Sequence, residues 1–153
     1  MRIAVGADHA GYTAKEEVMG WLRDWGHEVD DVGTHGPEPV DYPAYAARVA
    51  ARVAAKRDDL GILVCGSGIG VCIAANKVPG IRAAYATDTY SAKMARAHND
   101  ANVLCLGARV TGPEVMKELV SAFLASSFEG GRHQRRIEQI EKIEKGTWEE
   151  VGR

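Results

Sequence analysis

The stretch Gly61-Ile62-Leu63-Val64-Cys65-Gly66-Ser67-Gly68-Ile69-Gly70 decides the fold. Its first half is a continuous apolar run with no polar alternation, which reads as a strand buried on both faces, as in a parallel sheet. Three glycines then follow at alternate positions, and a short apolar helix comes after them. Strand, glycine loop and helix together form the repeating unit of an α/β sheet.

The unit recurs on both sides. Upstream, Ile3-Ala4-Val5 runs into Gly6-Ala7-Asp8-His9, and Ala14, Val18, Trp21, Leu22 and Trp25 then recur at helical spacing until Gly26. His27 to Val32 reads as a weaker second strand, and Thr34-His35-Gly36-Pro37-Glu38-Pro39 as a loop. Tyr45, Val49, Ala50, Val53 and Ala54 form an amphipathic helix after Pro43. Downstream, a strand is expected at Ile81 to Ala86, then a helix capped by Thr87 or Asp88 and continuing to about His98. Val103-Leu104-Cys105-Leu106 is a fifth strand, and Thr111-Gly112-Pro113-Glu114 opens a fifth helix. The expectation is a Rossmann-like three-layer α/β sandwich with a five-stranded parallel sheet. A highly charged last helix, about 132–145, carries only a narrow stripe of Ile137, Ile140 and Ile143. Such a stripe suits a helix lying across the domain or against a partner chain.

The chain has 153 residues and a formal net charge of -2, from 19 Lys+Arg against 21 Asp+Glu. This length fits a single domain over 1–153, able to bury roughly 70% of its unfolded surface. The charge balance argues against nucleic acid or an anionic membrane as partner. Three cysteines without C-x-x-C spacing argue against a disulfide framework or structural zinc, and fit a reducing compartment. There is no apolar run long enough to span a bilayer and no signal-like opening, so a cytoplasmic location is expected.

Ligands of open α/β sheets bind outside the carboxyl ends of the strands. Those ends carry Asp8-His9, Cys65-Gly66-Ser67, Thr87-Asp88 and Gly107-Ala108-Arg109. The backbone amides of Gly66, Ser67, Gly68, Ile69 and Gly70 can form an anion hole, though the same pattern also serves as a tight strand–helix turn. It is not a dinucleotide fingerprint, because position 71 is Val, nor a Walker A loop, because no Gly-Lys-Ser/Thr follows. Cys65 alone would read as a core cysteine. At the mouth of a glycine loop, however, it is placed for thiolate chemistry, whereas Cys72 and Cys105 read as core. Asp8-His9 suits proton transfer or the holding of sugar hydroxyls, or else Asp8 merely caps a helix. His98-Asn99 closes a helix, where a histidine can also simply complement the dipole. Arg132 and Arg136 share one helix face beside His133. They suit a phosphate, although glutamates further along allow a solvated charged helix instead. No spaced ligand set supports a metal.

Asp8-His9-Ala10-Gly11, Asp41-Tyr42-Pro43, Cys65-Gly66-Ser67-Gly68-Ile69-Gly70, Ala75-Asn76-Lys77, His98-Asn99 and Gly130-Gly131-Arg132-His133 stand in one order along nearly the whole chain. In this the sequence resembles the ribose-5-phosphate isomerase B family, of the group that includes galactose-6-phosphate and allose-6-phosphate isomerases. The resemblance implies a cofactor-free, metal-free aldose–ketose isomerase acting through a cis-enediolate. By that resemblance Cys65 is the base and His98 assists ring opening, with His133 as a possible auxiliary. Asp8, His9 and Asn99 would hold sugar or phosphate oxygens, the 66–70 amides would form the anion hole, and Arg109, Arg132 and Arg136 would bind phosphate. One branch of the family has serine in place of this cysteine and glutamate six residues on. Cys65 and Val71 fit the thiol branch. The resemblance also implies a homodimer or dimer of dimers, with His98, Asn99 and Arg109 of one chain facing Cys65 of its neighbour. A hexose 6-phosphate substrate and a non-catalytic sugar-phosphate-binding protein are the alternatives. The second has no use for a thiol.

Overall fold

In the computed structural model, which describes residues 1–150, the elements run β1 (Arg2–Ala7), α1 (Tyr12–Asp24), β2 (Glu28–Asp31), α2 (Tyr42–Ala54), β3 (Leu60–Cys65), α3 (Ile69–Ala75), β4 (Ala83–Tyr85), α4 (Thr89–Ala97), β5 (Val103–Gly107), α5 (Pro113–Ala125) and α6 (Arg132–Glu144). The three last residues of the single-domain span 1–153 lie outside the described residues. All strand pairings are parallel, in the order β2-β1-β3-β5-β4. The chain winds outward from β1 to β2 and then crosses back to β3, so β1 and β3 meet at a switch point open at its carboxyl end.

Period-two alternation sends the two faces of β3 into different layers. Ile62 and Val64 join Ile3, Val5, Leu104 and Leu106 against Val18, Leu22, Leu119 and Phe123 of α1 and α5. Leu63 and Cys65 join Ala4, Val103 and Cys105 against Val49, Ala50 and Val53 of α2 and Val71 of α3. Each such fully buried aliphatic side chain contributes about 1.5–3 kcal/mol relative to exposure. The sequence-expected sandwich and its five parallel strands are therefore present.

Differences from the expected boundaries have local causes. The strand expected over 81–86 shortens to Ala83–Tyr85, an edge strand. The Asn76 side chain brackets its start, accepting from the Ala83 amide at 2.8 Å and donating to the Ala83 carbonyl at 2.9 Å. That contact also blunts an otherwise free edge. Asp88, not Thr87, caps α4, its Oδ1 accepting the Ser91 amide at 2.7 Å. On α6 the isoleucine stripe divides: Ile137 is buried, whereas Ile140 and Ile143 stay 45% and 60% exposed. Glu144 accepts the Gly80 amide at 3.1 Å, which lays the helix end beside the approach to β4. No helix among the described residues is long and apolar enough to cross a membrane.

Candidate active site

β1, β3 and β5 are neighbours, so their carboxyl ends deliver Asp8, Cys65 and Arg109 to one place. These residues, with His9, Gly66, Ser67, Ile69, Gly70 and Tyr42, line a cavity of about 570 Å³ at the switch point. Cys65 lies on its floor, 4% exposed, and its Sγ accepts the Gly68 amide at 3.2 Å. Gly68 reaches this position only at φ +82, where a side chain would be strained, and a Cβ would also strike Tyr85 and the backbone at Leu106.

The anion hole is smaller than the sequence pattern implied. The Gly68 amide is spent on Cys65, and the Ile69 amide donates to the Ser67 hydroxyl at 3.2 Å. Gly66, Ser67 and Gly70 retain amides free of backbone acceptors among the described residues. Asp8 stands at the join of cavity and helix. It caps the turn into α1, with Oδ1 accepting the Gly11 amide at 3.1 Å, and it lines the cavity. His9 Nδ1 accepts the Val40 amide at 3.1 Å, which leaves the proton on Nε2 as a donor. Tyr42 was not among the expected site residues. Pro43 at the start of α2 was its signal, since it fixes that helix start at the carboxyl edge. Gly70 makes room for it: a Cβ there would stand 2.6 Å from Tyr42 Cζ.

His98, Asn99, His133, Arg132 and Arg136 are absent from this cavity. α4 runs back along the sheet, so His98 at its end lies near the amino end of β5. There the Asn102 carbonyl accepts the Gly61 amide. Cys65 pairs with Gly107 at the far end of the same ladder. Four residues of strand separate the two levels, roughly 13 Å at about 3.3 Å per residue. Within one chain the expected base and the expected ring-opening histidine thus sit at opposite edges. Arg109 behaves differently from the expectation that set it beside His98. It lies over its own chain's Gly66, with Nη1 3.1 Å from where a Cβ would stand, because the Arg109 amide donates to the Gly66 carbonyl at 2.9 Å.

The second corner has its own order. The His98 and His133 rings stack with centroids 4.2 Å apart and planes 14° from parallel. Glu129 Oε1 stands 3.7 Å from His98 Nε2. His133 is buried, and its Nε2 has no hydrogen-bond partner. Burial first, then His98 and the two arginines, lower its basicity, and Glu129 opposes them. The donor atoms of His98, Glu129 and His133 lie within 4.8 Å of one another. A cation binds in the plane of each imidazole, however, and two nearly parallel stacked rings offer no shared in-plane point. Arg132 and Arg136 are exposed at the start of α6. Cys72 and Cys105 lie outside the cavity, and a hydrogen bond from Cys105 brings the Cys72 thiol down to about 7.

The sequence profile described as Ribose/Galactose Isomerase matches residues 3–140. Ribose-5-phosphate isomerase B of Escherichia coli (strain K12) is 50% identical over 143 residues, covering 94% of this chain and 96% of that one. The structure of Clostridium thermocellum ribose-5-phosphate isomerase B superposes with a TM-score of 0.95 at 50% identity, over 95% of this chain and 99% of the other. That of ribose-5-phosphate isomerase B from Mycoplasma genitalium, with bound ribulose-5-phosphate, gives 0.91 at 43% identity, over 94% and 96%.

Proposed function

The chain belongs to the ribose/galactose isomerase family, and from that premise we propose how it works: it is an aldose–ketose isomerase that interconverts ribose 5-phosphate and ribulose 5-phosphate, with Cys65 as the base. The observation that carries the assignment of the base is the Cys65 sulfur on the cavity floor, held by the Gly68 amide. Once the furanose is open, the thiolate takes the C2 proton. The C2–H electrons form the enediolate double bond, and negative charge gathers on O1. The amides of Ser67 and Gly70 and the guanidinium of Arg109 are the fixed donors for such an oxygen. The thiol then returns a proton to C1, and proton transfer from O2 to O1 leaves the ketose. Asp8 and His9 hold the sugar hydroxyls, with His9 donating from Nε2.

Ring opening belongs to His98, with His133 as its auxiliary. A proton passes to ring oxygen O4 as the C1–O4 bond breaks, O4 keeps the bonding pair, and the O1 proton leaves to water as C1=O1 forms. Since His98 and Cys65 of one chain lie at opposite edges of the sheet, the reaction needs His98 and Asn99 from a second copy. The active form is therefore a homodimer or a dimer of dimers with composite sites. Arg132 and Arg136 bind the phosphate. The groove between α6 and the approach to β4, where Ile140, Ile143, Pro79 and Ala84 lie among Lys77, Arg82, Asn99 and Glu144, supports the same reading, since its two isoleucines stay exposed in one chain. A reducing, cytoplasmic setting suits a mechanism that depends on a free thiol. The test is an aldose–ketose assay with ribose 5-phosphate and allose 6-phosphate side by side. Turnover of the pentose phosphate, lost in Cys65→Ala, is expected. Turnover of the hexose phosphate alone overturns the substrate, and full activity in Cys65→Ala overturns the base.

A further inference from the structure

Glu129 has no part in the mechanism given above, yet its backbone is anchored in the second corner. Its backbone amide donates to the Ala97 carbonyl at 2.9 Å, which pins the loop before α6 to the last residue of α4. Its carboxylate then stands 3.7 Å from His98 Nε2. One face of His98 is covered by the His133 ring, stacked at 4.2 Å and itself buried, and the donor atoms of all three side chains lie within 4.8 Å of one another. The charges around the stacked pair are unbalanced. Acting on His133 are His98, Arg132 and Arg136 on the positive side, and Glu129 alone on the negative side.

A ring-opening acid works from a fixed orientation, and two neighbours set that of His98: the Glu129 carboxylate at Nε2 and the stacked His133 ring. Resting on the proposed role of His98, we infer that Glu129 is a positioning residue for ring opening: its carboxylate faces His98 Nε2 and orients the imidazole, while the stacked His133 ring fixes the plane of that imidazole. Glu129 does not touch the reacting carbons. Its removal therefore slows the ring step and leaves the enediolate step alone. The side chain of Glu129 is half exposed, and the backbone bond to Ala97 survives a side-chain substitution, so Glu129→Gln keeps the fold.

The two steps can be read separately on one enzyme. Ribose 5-phosphate is a furanose that must be opened. Ribulose 5-phosphate has its C5 oxygen phosphorylated and cannot close a furanose, so exchange of its C1 hydrogen in heavy water reports the enediolate step without ring chemistry. Glu129→Gln is expected to lower kcat for ribose 5-phosphate roughly three- to tenfold, the scale of one lost partly exposed charge partner. C1 exchange on ribulose 5-phosphate stays at the wild-type rate, and Glu129→Asp, which keeps the charge, recovers most of the lost turnover. Equal losses in both assays overturn the inference, as does no loss in either. His98→Asn, measured alongside, must show the same split more deeply. If His98→Asn depresses both assays alike, the ring-opening role of His98 itself falls, and the inference with it. If His98→Asn splits them and Glu129→Gln does not, only the inference falls.

Discussion

The two polar corners of the molecule differ in how finished they are. At the carboxyl edge, Cys65, Asp8 and His9 each have a backbone amide fixed on them, and Tyr42 and Arg109 close the walls. At the amino edge, His133 Nε2 is buried with no partner, and Arg132 and Arg136 stand in solvent. A buried polar atom left unpaired is costly unless something completes it. The difference teaches that the sheet of one chain keeps two polar corners apart, a preorganised pocket at one edge and an incomplete cluster at the other, which is the separation that the proposed composite site would bridge.

The largest effect is expected at the finished corner. Cys65→Ala should cut kcat by about 10²-fold or more, the cost of removing a general base, with phosphosugar binding largely kept. Steady-state rates and calorimetric binding of ribulose 5-phosphate check this. If binding disappears with activity, Cys65 holds substrate rather than moving protons.

Mixing asks directly whether the corners are joined between chains. Cys65→Ala and His98→Ala proteins, each inactive, are dissociated reversibly and reassociated together. In a mixed dimer with composite sites, one site carries both lesions and the other carries neither. Random pairing makes half the dimers mixed, so activity should approach roughly a quarter of wild type. Verified subunit exchange with no recovery would separate the two corners for good.

Much of this was legible in the sequence, and the rest was hidden for physical reasons. The uninterrupted Ile62-Leu63-Val64 run betrays a strand buried on both faces, and glycines at 66, 68 and 70 betray the turn over Cys65, because both are local signals. Which amides the glycine loop keeps free depends on side-chain rotamers that a residue pattern does not carry: Cys65 Sγ and Ser67 Oγ each capture one amide two or three residues on. Arg109 was legible from the strand ends, which set it with Cys65: β5 lies beside β3, so its end enters the same pocket, whereas the resemblance gives Arg109 to the site of a neighbouring chain. The short β4 was equally hidden, since only the folded chain brings Asn76 to its edge.

At the unfinished corner, Arg132→Ala and Arg136→Ala should each raise KM more than they lower kcat. The phosphate is carried unchanged from ground state to transition state, so what is lost is uniform binding. The expected rise is about tenfold for one guanidinium–phosphate contact. An unchanged KM with a collapsed kcat would move these arginines from phosphate holding to the chemistry.

The smallest effect is expected from the second thiol. Cys72 has its acidity raised to about 7 by the Cys105 hydrogen bond, against the opposing pull of its own burial, while burial pushes the Cys105 thiol well up. Cys72 is half-buried on α3 and does not itself line the cavity, although its neighbour Ile73 does. A reactive thiol without a place in the cavity should label readily and matter little. Alkylation near pH 7.5 is expected to modify Cys72 before the buried Cys105, as peptide mass mapping would record. Cys72→Ala should remain close to wild type in kcat and KM. A large loss of activity in Cys72→Ala, with the thermal midpoint unchanged, would mean that the Cys72–Cys105 pair acts on the Cys65 sulfur through the shared layer. The finished corner would then extend deeper into the sheet than its lining residues indicate.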